Sequence, residues 1–446
     1  VSEFLAPAPG PRVTVIIPVF GNWALTRECL EHLRAATATG ACAVLVIDNG
    51  STDATPAECP ALGAALFGRA FAYDRLPENR NFGGACNRGA SLARTDLLLF
   101  LNNDTRPAPG WLDPLLAALD GDPGLGAVSP LLLYPDMGRV QHAGVAFNPG
   151  LRVEHFYEYF PADHPAVLRS RDLQAVSAAA LLVPRELFFA CSGFDEGYRN
   201  GFEDVDLCFG LRRLGYRLTV AGASVVEHWG ESTTGRRDHD AANEALLRAR
   251  WPEADRPVVP DLHRIVAEDG FTLRVTPWLH AYPALRPERE AELEREFFSG
   301  RDEVPAERLW HALRREPLWG AGYEALARRL RARGRVGEVL DVRLLQATFE
   351  PSLANHAALL GAAEGAGNAS VAATAARRMA ELRARLADPE ALTAEARRIS
   401  RLLLAHDAPD LARAFGAALR QGLSMGRPAA APSVAPASSA PASLSA

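Results

Sequence analysis

Three apolar runs, each ending in a cluster of polar residues, frame the first hundred positions of the chain. Residues 12–20, RVTVIIPVF, form a β-branched run closed by Pro18, which predicts a buried strand with an edge at Pro18–Asn22. Thr26 to Ala36 sets Leu30 and Leu33 among charges, the pattern of a covering helix. Ala43–Ile47, AVLVI, predicts a second buried strand ending in DNGSTD (Asp48–Asp53), which is also ordinary turn chemistry. Strand, helix and strand in this order predict a parallel pair with a right-handed crossover. Arg80 to Ala93, RNFGGACNRGASLA, reads as a glycine-rich loop opening a helix. Asn87 and Arg88 would then lie near the helix start, where free N–H groups favour an anion. Leu97–Leu101, LLLFL, predicts the central strand, buried on both faces. It stops at Asn102, Asn103 and Asp104, and Pro107, Pro109 and Gly110 oppose any continuation. The sum is β-α-β-α-β with polar loops at the carboxyl edge of a mostly parallel sheet, where ligands collect in open α/β folds.

The alternation of strand and helix persists to about residue 240. A helical run, Leu207–Leu214, follows FEDVD (Phe202–Asp206), and an apolar strand, Leu218–Val226, precedes His228. Residues 252–287 are rich in proline and charge, and 241–287 read as a linker or wrap. Residues 288–425 are rich in Ala, Leu, Arg and Glu, a helical composition. Within them Glu316-Pro317 recurs 34 residues later as Glu350-Pro351, the tetratricopeptide length. Leu326 and Leu360 share that offset, and Gly334 falls on Asn368, but Asp388-Pro389 breaks it. Tetratricopeptide-like hairpins and a plain helical bundle both fit. Residues 426–446 are Pro/Ala/Ser low complexity and are expected to be a disordered tail, and residues 1–11 form an N-terminal extension. The organisation expected is thus an α/β domain over 12–240 and an all-α domain over 288–425.

Composition narrows the function. Net charge is −6, so nothing in the whole chain points to nucleic acid. Six cysteines without a CxxC pair fit a reducing, cytoplasmic setting. No apolar run reaches bilayer length, and Pro7, Pro9 and Pro11 occupy the place of a signal-peptide core, so at most peripheral contact with the inner membrane face is expected. A carboxylate flanked by amides at Asn102–Asp104 can hold a hard cation together with a diphosphate. Glu203 and Asp204 stand at a helix start, which favours ionised carboxylates, although capping is their ordinary use there. Absence of Lys or Arg from Gly21–Leu25 argues against a nucleotidyltransferase.

The ordered series IIPVF, VIDNGSTD, NRNFGGACNRG, FLNNDTRPAPGWL, YPDMGRVQHAG, GFDEGYRNGFEDVDLCFGLRRLGY and VVEHWGEST resembles the inverting glycosyltransferases of family 2, with the GT-A fold, over about residues 12–235. The resemblance is to the rhamnosyltransferase-like members in its Asn-Asn-Asp motif. It implies transfer of a sugar from a nucleotide-diphosphate donor to an acceptor hydroxyl with inversion, assisted by Mn²⁺ or Mg²⁺, in surface-polysaccharide or glycoconjugate synthesis. Pro18, Val19, Phe20, Asp48, Asn49, Asn81, Arg88, Asn103 and Asp104 would bind the nucleotide, and Asp104 with His228 the metal. Asp204 would be the catalytic base. Glu203 and Trp111 belong to the sugar region, Trp111 either stacking a sugar or packing the loop. His142 matches a family stretch without a mechanical role. The acceptor would be a glycan, a lipid-linked glycan or a protein. The alternative function is a catalytically silent scaffold that binds a protein partner through the helical domain.

Overall fold

The computed structural model describes residues 11–230, 239–300 and 303–425. Most of the N-terminal extension, residues Glu231–Thr233 of the last motif and the Pro/Ala/Ser tail therefore lie outside the described residues. Two compact units divide the chain. One runs to Gly270 and takes in Trp310–Pro317; the other holds Phe271–Leu309 and resumes at Leu318.

The first unit opens with β1 (Val13–Val19), α1 (Trp23–Ala36), β2 (Cys42–Asp48), α2 (Thr55–Phe67), β3 (Phe71–Arg75), α3 (Asn81–Leu92) and β4 (Leu97–Leu101). Every residue of β1, β2 and β4 is buried, as unbroken apolar runs require. These strands pair in parallel in the order β3-β2-β1-β4. Asp48 is the last residue of its strand rather than the first of a turn.

The sheet then becomes mixed. Its later elements are β5 (Thr105–Pro107), α4 (Leu112–Gly121), β6 (Leu125–Tyr134), β7 (Arg139–His142), β8 (Val145–Phe147), β9 (Val153–His155), α5 (Pro165–Leu168), β10 (Ala180–Pro184), α6 (Arg185–Ala190), α7 (Glu203–Arg213), β11 (Arg217–His228), α8 (Asp240–Arg250) and α9 (Leu262–Glu268). β10 runs antiparallel between β4 and β6, β11 is parallel to β6, and β5 is antiparallel to β11. The prolines after Asp104 do not end pairing outright. Pro107 closes a three-residue edge strand, a position where its missing N–H is harmless. Thr105 pairs with His228, which brings Asp104 beside it.

Helix α3 sits directly on the sheet because Gly89 has no side chain. A Cβ there would stand 2.4 Å from Ile16 Cγ2 and 3.2 Å from Ile47 Cγ1. Gly89→Ala is therefore expected to cost about 1–3 kcal/mol by overpacking, read as a lowered midpoint in denaturant at unchanged m-value.

The stretch expected to be a linker or wrap, 241–287, instead contains α8, α9 and a hairpin. Its proline and charge pattern hid a buried anchor, Asp261. This residue is 1% exposed, and its Oδ1 accepts from Phe147 N–H at 2.8 Å, while among the described residues no donor meets Oδ2 in hydrogen-bond geometry. Burial raises its carboxyl to about 6. A folded state that binds the proton more tightly than the unfolded chain gains stability below the ordinary carboxyl range and loses it as pH rises through about 6. Asp261→Asn should therefore be more stable than the parent by about 1–3 kcal/mol above pH 6, the difference vanishing below about pH 4. Urea titrations at the two pH values check the sign.

The second unit contains the hairpin of β12 (Thr272–Val275) and β13 (Ala281–Ala284), then α10 (Pro287–Phe298), α11 (Ala306–Arg315, which divides between the units), α12 (Gly320–Ala332), α13 (Val336–Phe349), α14 (Leu353–Gly365), α15 (Ala369–Leu386), α16 (Pro389–Ala405) and α17 (Pro409–Met425). From α12 onward each helix packs on the next. Ser352, Asn368 and Asp388 cap successive helices by accepting from Asn355, Val371 and Ala391 N–H. The starts of α12 and α14, Gly320 and Leu353, and of α13 and α15, Val336 and Ala369, both differ by 33 residues. Among the described residues no helix is long and apolar enough to cross a membrane.

Candidate active site

The loops after β1 and β2 are stitched together at the carboxyl edge. Asn49 N–H donates to Val19 O at 2.7 Å, and Gly21 N–H donates to Ser51 Oγ at 2.8 Å. Pro18 and Val19 are buried inside β1, whereas Phe20 is 56% exposed at the edge. Asp48 is fully buried, with Oδ1 accepting from Ser51 N–H (2.8 Å) and Oδ2 from Tyr73 Oη–H (2.5 Å), and Arg75 Nε lies 3.2 Å from Oδ2. Asn49 donates to Asn79 Oδ1 and Asn81 O and accepts from Arg80 N–H, so its amide fixes the loop before α3. Asn81 occupies the first helical position at φ 58°, and its N–H donates to Asn79 Oδ1.

The glycine-rich loop is not a loop. Residues 81–92 are helix, and Gly83 and Gly84 let Phe194 and Glu196 approach it closely. Arg88 consequently lies two turns into α3, not at its start, and its guanidinium pairs with Asp74 at 2.7 Å. Asn87 bonds Phe194 N and O and Glu196. The helix-start argument for an anion at Arg88 therefore fails. Of the two readings of Trp111, the structure favours packing over the sugar region: the residue is 1% exposed, lies in the main core and donates Nε1–H to Thr37 Oγ1 at 3.0 Å. It packs the loop and cannot stack a sugar.

Asp104 and His228 do meet. Both are 4% exposed, with His228 Nε2 3.3 Å from Asp104 Oδ1 and 3.1 Å from Asn102 Nδ2. Asn103 turns away and donates to Thr26 Oγ1 on α1. Gln141, on β7, clamps the imidazole: its Nε2–H donates to His228 O at 2.9 Å, which leaves Oε1 to accept from His228 Nδ1 at 2.6 Å. Gln141 thus takes Nδ1, and Nε2 is the ring nitrogen that faces both Asn102 Nδ2 and the Asp104 carboxylate. Two electron-rich atoms in this register suit a cation, and an oriented imidazole is the usual arrangement of a metal-ligating histidine. Protein donors alone are few, since among the described residues no group of three or more His, Cys, Asp or Glu is placed to hold a metal ion.

The third component is the first turn of α7. Its N-cap, Phe202, is a bulky residue at φ 74°, a strained conformation of the kind that collects at functional sites. Glu203 is buried and accepts from Gly201 N–H at 2.6 Å, so it supports the loop rather than opening to a ligand. Asp206 is buried and joins Tyr198, Arg250 and Trp251. Asp204 alone of the three is partly exposed. Its Oδ1 accepts from Val205 N–H (2.8 Å) and its Oδ2 from Ala178 N–H (3.1 Å). The segment Ser177–Ala179, which carried no signal in the sequence, is the junction: Ala179 O accepts from Asn102 N–H at 2.9 Å, linking it to Asn102-Asn103-Asp104.

These residues fall in or beside a region with clear relatives. The profile of glycosyl transferase family 2 matches residues 14–176. The N-acetylglucosaminyl-diphospho-decaprenol L-rhamnosyltransferase of Mycobacterium tuberculosis is 30% identical over 223 residues, covering 43% of this chain and 68% of that protein. The chain belongs to glycosyl transferase family 2. Its mixed sheet is the GT-A arrangement, followed by the helices of the second unit. The pre-mycofactocin glycosyltransferase of M. tuberculosis is 29% identical over 266 residues, 57% of this chain and 52% of that protein. The O-antigen biosynthesis protein RfbC of Myxococcus xanthus is 31% identical over 242 residues, 51% and 18%. The match thus spans about half or less of these two family members.

Proposed function

We propose that the first unit transfers a sugar from a nucleotide-diphosphate donor to an acceptor hydroxyl with inversion, in surface-polysaccharide or other glycoconjugate synthesis. The observation that carries this reading is the junction at Ser177–Ala179, which ties the Asn102–Asp104 motif and Asp204 to one short backbone segment at the carboxyl edge of the sheet. Phe20 would line the base, and Asp48 and Asn49 would hold the walls of that pocket. Asp104 and His228 would hold a divalent ion; two protein donors are enough when diphosphate oxygens complete the shell. That ion, when bound, would stabilise charge on the leaving diphosphate. The acceptor hydroxyl gives its proton to Asp204. Its oxygen forms the new bond to the anomeric carbon on the face opposite the diphosphate, and the electron pair of the broken C–O bond leaves on the diphosphate oxygen. Asp204, held by two backbone N–H groups, is positioned before the substrate arrives. The mycobacterial and Myxococcus relatives carry names from mycofactocin, O-antigen and decaprenol-linked glycan chemistry, which supports a glycan or lipid-linked glycan acceptor.

Thermal melting of the purified chain with UDP, dTDP or GDP, with and without Mn²⁺, tests the donor half of this reading. At a hundred times Kd a nucleotide should add about 2.7 kcal/mol, and the gain should need the metal. No shift with any of the three would overturn it.

A further inference from the structure

We infer that His142 is a positioning residue of this reaction: it holds the Ser177–Ala178 segment, which in turn holds Asp204. The inference rests on Asp204 being the base. His142 ends β7 and is 1% exposed. Its Nε2 lies 3.2 Å from Ser177 N, a backbone donor, so Nε2 carries the lone pair. Its Nδ1 lies 2.8 Å from Nδ1 of His155 at the end of β9, so the ring proton sits on His142 Nδ1 and His155 accepts it. Burial holds His142 well below the ordinary imidazole range, and the neighbouring His155 and His228 add to this. A neutral ring is what the contact requires, because an imidazolium would set N–H against the Ser177 N–H.

The backbone beyond Ser177 gives the contact its reach. Ser177 N–H is held by His142, Ala178 N–H by Asp204 Oδ2, and Ala179 O by Asn102 N–H. Three consecutive residues thus connect β7, α7 and the end of β4. Ser177 Oγ also accepts from Ala179 N–H at 3.2 Å, which stiffens the segment. If Ser177 is released, the carboxylate oxygen bonded one residue away loses its fixed direction. A misplacement of about 1 Å at a reacting group can cost about 10²-fold in rate.

Gln and Asn separate this role from simple core packing. The amide oxygen of Gln reaches the place of Nε2, whereas that of Asn reaches only the place of Nδ1. His142→Gln should keep turnover within about threefold of the parent, and His142→Asn should lose about 10- to 100-fold in kcat with donor KM unchanged. Turnover is read as nucleoside diphosphate released from dTDP-rhamnose, UDP-glucose, UDP-galactose and UDP-N-acetylglucosamine by the full chain. Equal losses in both variants, following their melting temperatures, would make His142 a packing residue and overturn the inference. Two measurements need no turnover. In histidine-¹⁵N spectra of the full chain at neutral pH, His142 should be the neutral Nδ1–H tautomer, and Ser177 amide exchange should accelerate in His142→Asn but not in His142→Gln. A proton on Nε2, or equal exchange in both variants, overturns the inference. Retained turnover in Asp204→Asn would instead remove the base assignment and leave the tautomer result standing.

Discussion

Asp204→Asn should lower kcat about 10²- to 10⁴-fold, the contribution expected of a positioned general base. The variant should still fold. Asp204 accepts one backbone N–H on each oxygen, from Val205 and Ala178. An amide keeps one acceptor and turns its NH₂ towards the other donor, so one hydrogen bond is lost at a cost of about 1 kcal/mol. That corresponds to a fall in Tm of about 2–4 °C for a unit of this size. The two numbers are far apart, which makes the experiment decisive. A melt followed by circular dichroism and a nucleoside diphosphate release assay on the same preparation give both. Near-normal turnover in a folded Asp204→Asn would remove the base from the mechanism. Asp206→Asn supplies the contrast: it is buried against Tyr198, Arg250 and Trp251, so its loss should appear in the melt first.

The fold was legible where burial on both faces left no choice of residue. β1, β2 and β4 announce themselves as unbroken apolar runs, and the polar residues at their ends mark the carboxyl edge, where ligands collect in open α/β folds. Asp104, Asp204 and His228 stood out only through the resemblance to family 2, since a carboxylate at a helix start ordinarily caps it; the structure sets Asp104 beside His228. Other parts could not be read, for definite reasons. Gly83 and Gly84 look like a loop, but their smallness admits Phe194 and Glu196, more than a hundred positions later. Arg88 was misplaced for that reason alone. An aromatic residue beside the loop fits a sugar as well as a core, and only the burial of Trp111 decides between them. Gln141 orients His228 from 87 residues away, and no spacing rule reaches that far. The Ser177–Ala179 junction works through backbone N–H and C=O groups, which every residue except proline carries and no sequence displays. The region 241–287 misled in the opposite sense: its prolines and charges suggested a wrap, yet Asp261 is a buried anchor.

Asp104→Asn should remove about half of the metal-dependent stabilisation by nucleotide while leaving the apo protein close to the parent in stability. The substitution preserves shape, and backbone contacts such as Trp229 N–H to Asp104 O are untouched. It takes away the one carboxylate of Asn102-Asn103-Asp104 and leaves His228 Nε2 facing neutral amides. A hard divalent ion then has one neutral nitrogen from this pair, a poor anchor for it. If affinity for the metal–nucleotide complex falls tenfold, nucleotide at a hundred times the parent's Kd adds about 1.4 rather than about 2.7 kcal/mol. In the presence of a chelator, parent and variant should give the same small shift, because the carboxylate acts only through the ion. A variant that retains the full Mn²⁺-dependent shift would place the ion elsewhere, and the pairing of Asp104 with His228 would then be a buried structural contact. His228→Gln is the matching control. It should weaken the same metal-dependent shift, and combined with Asp104→Asn it should add less than its own effect, since two ligands of one ion do not act independently.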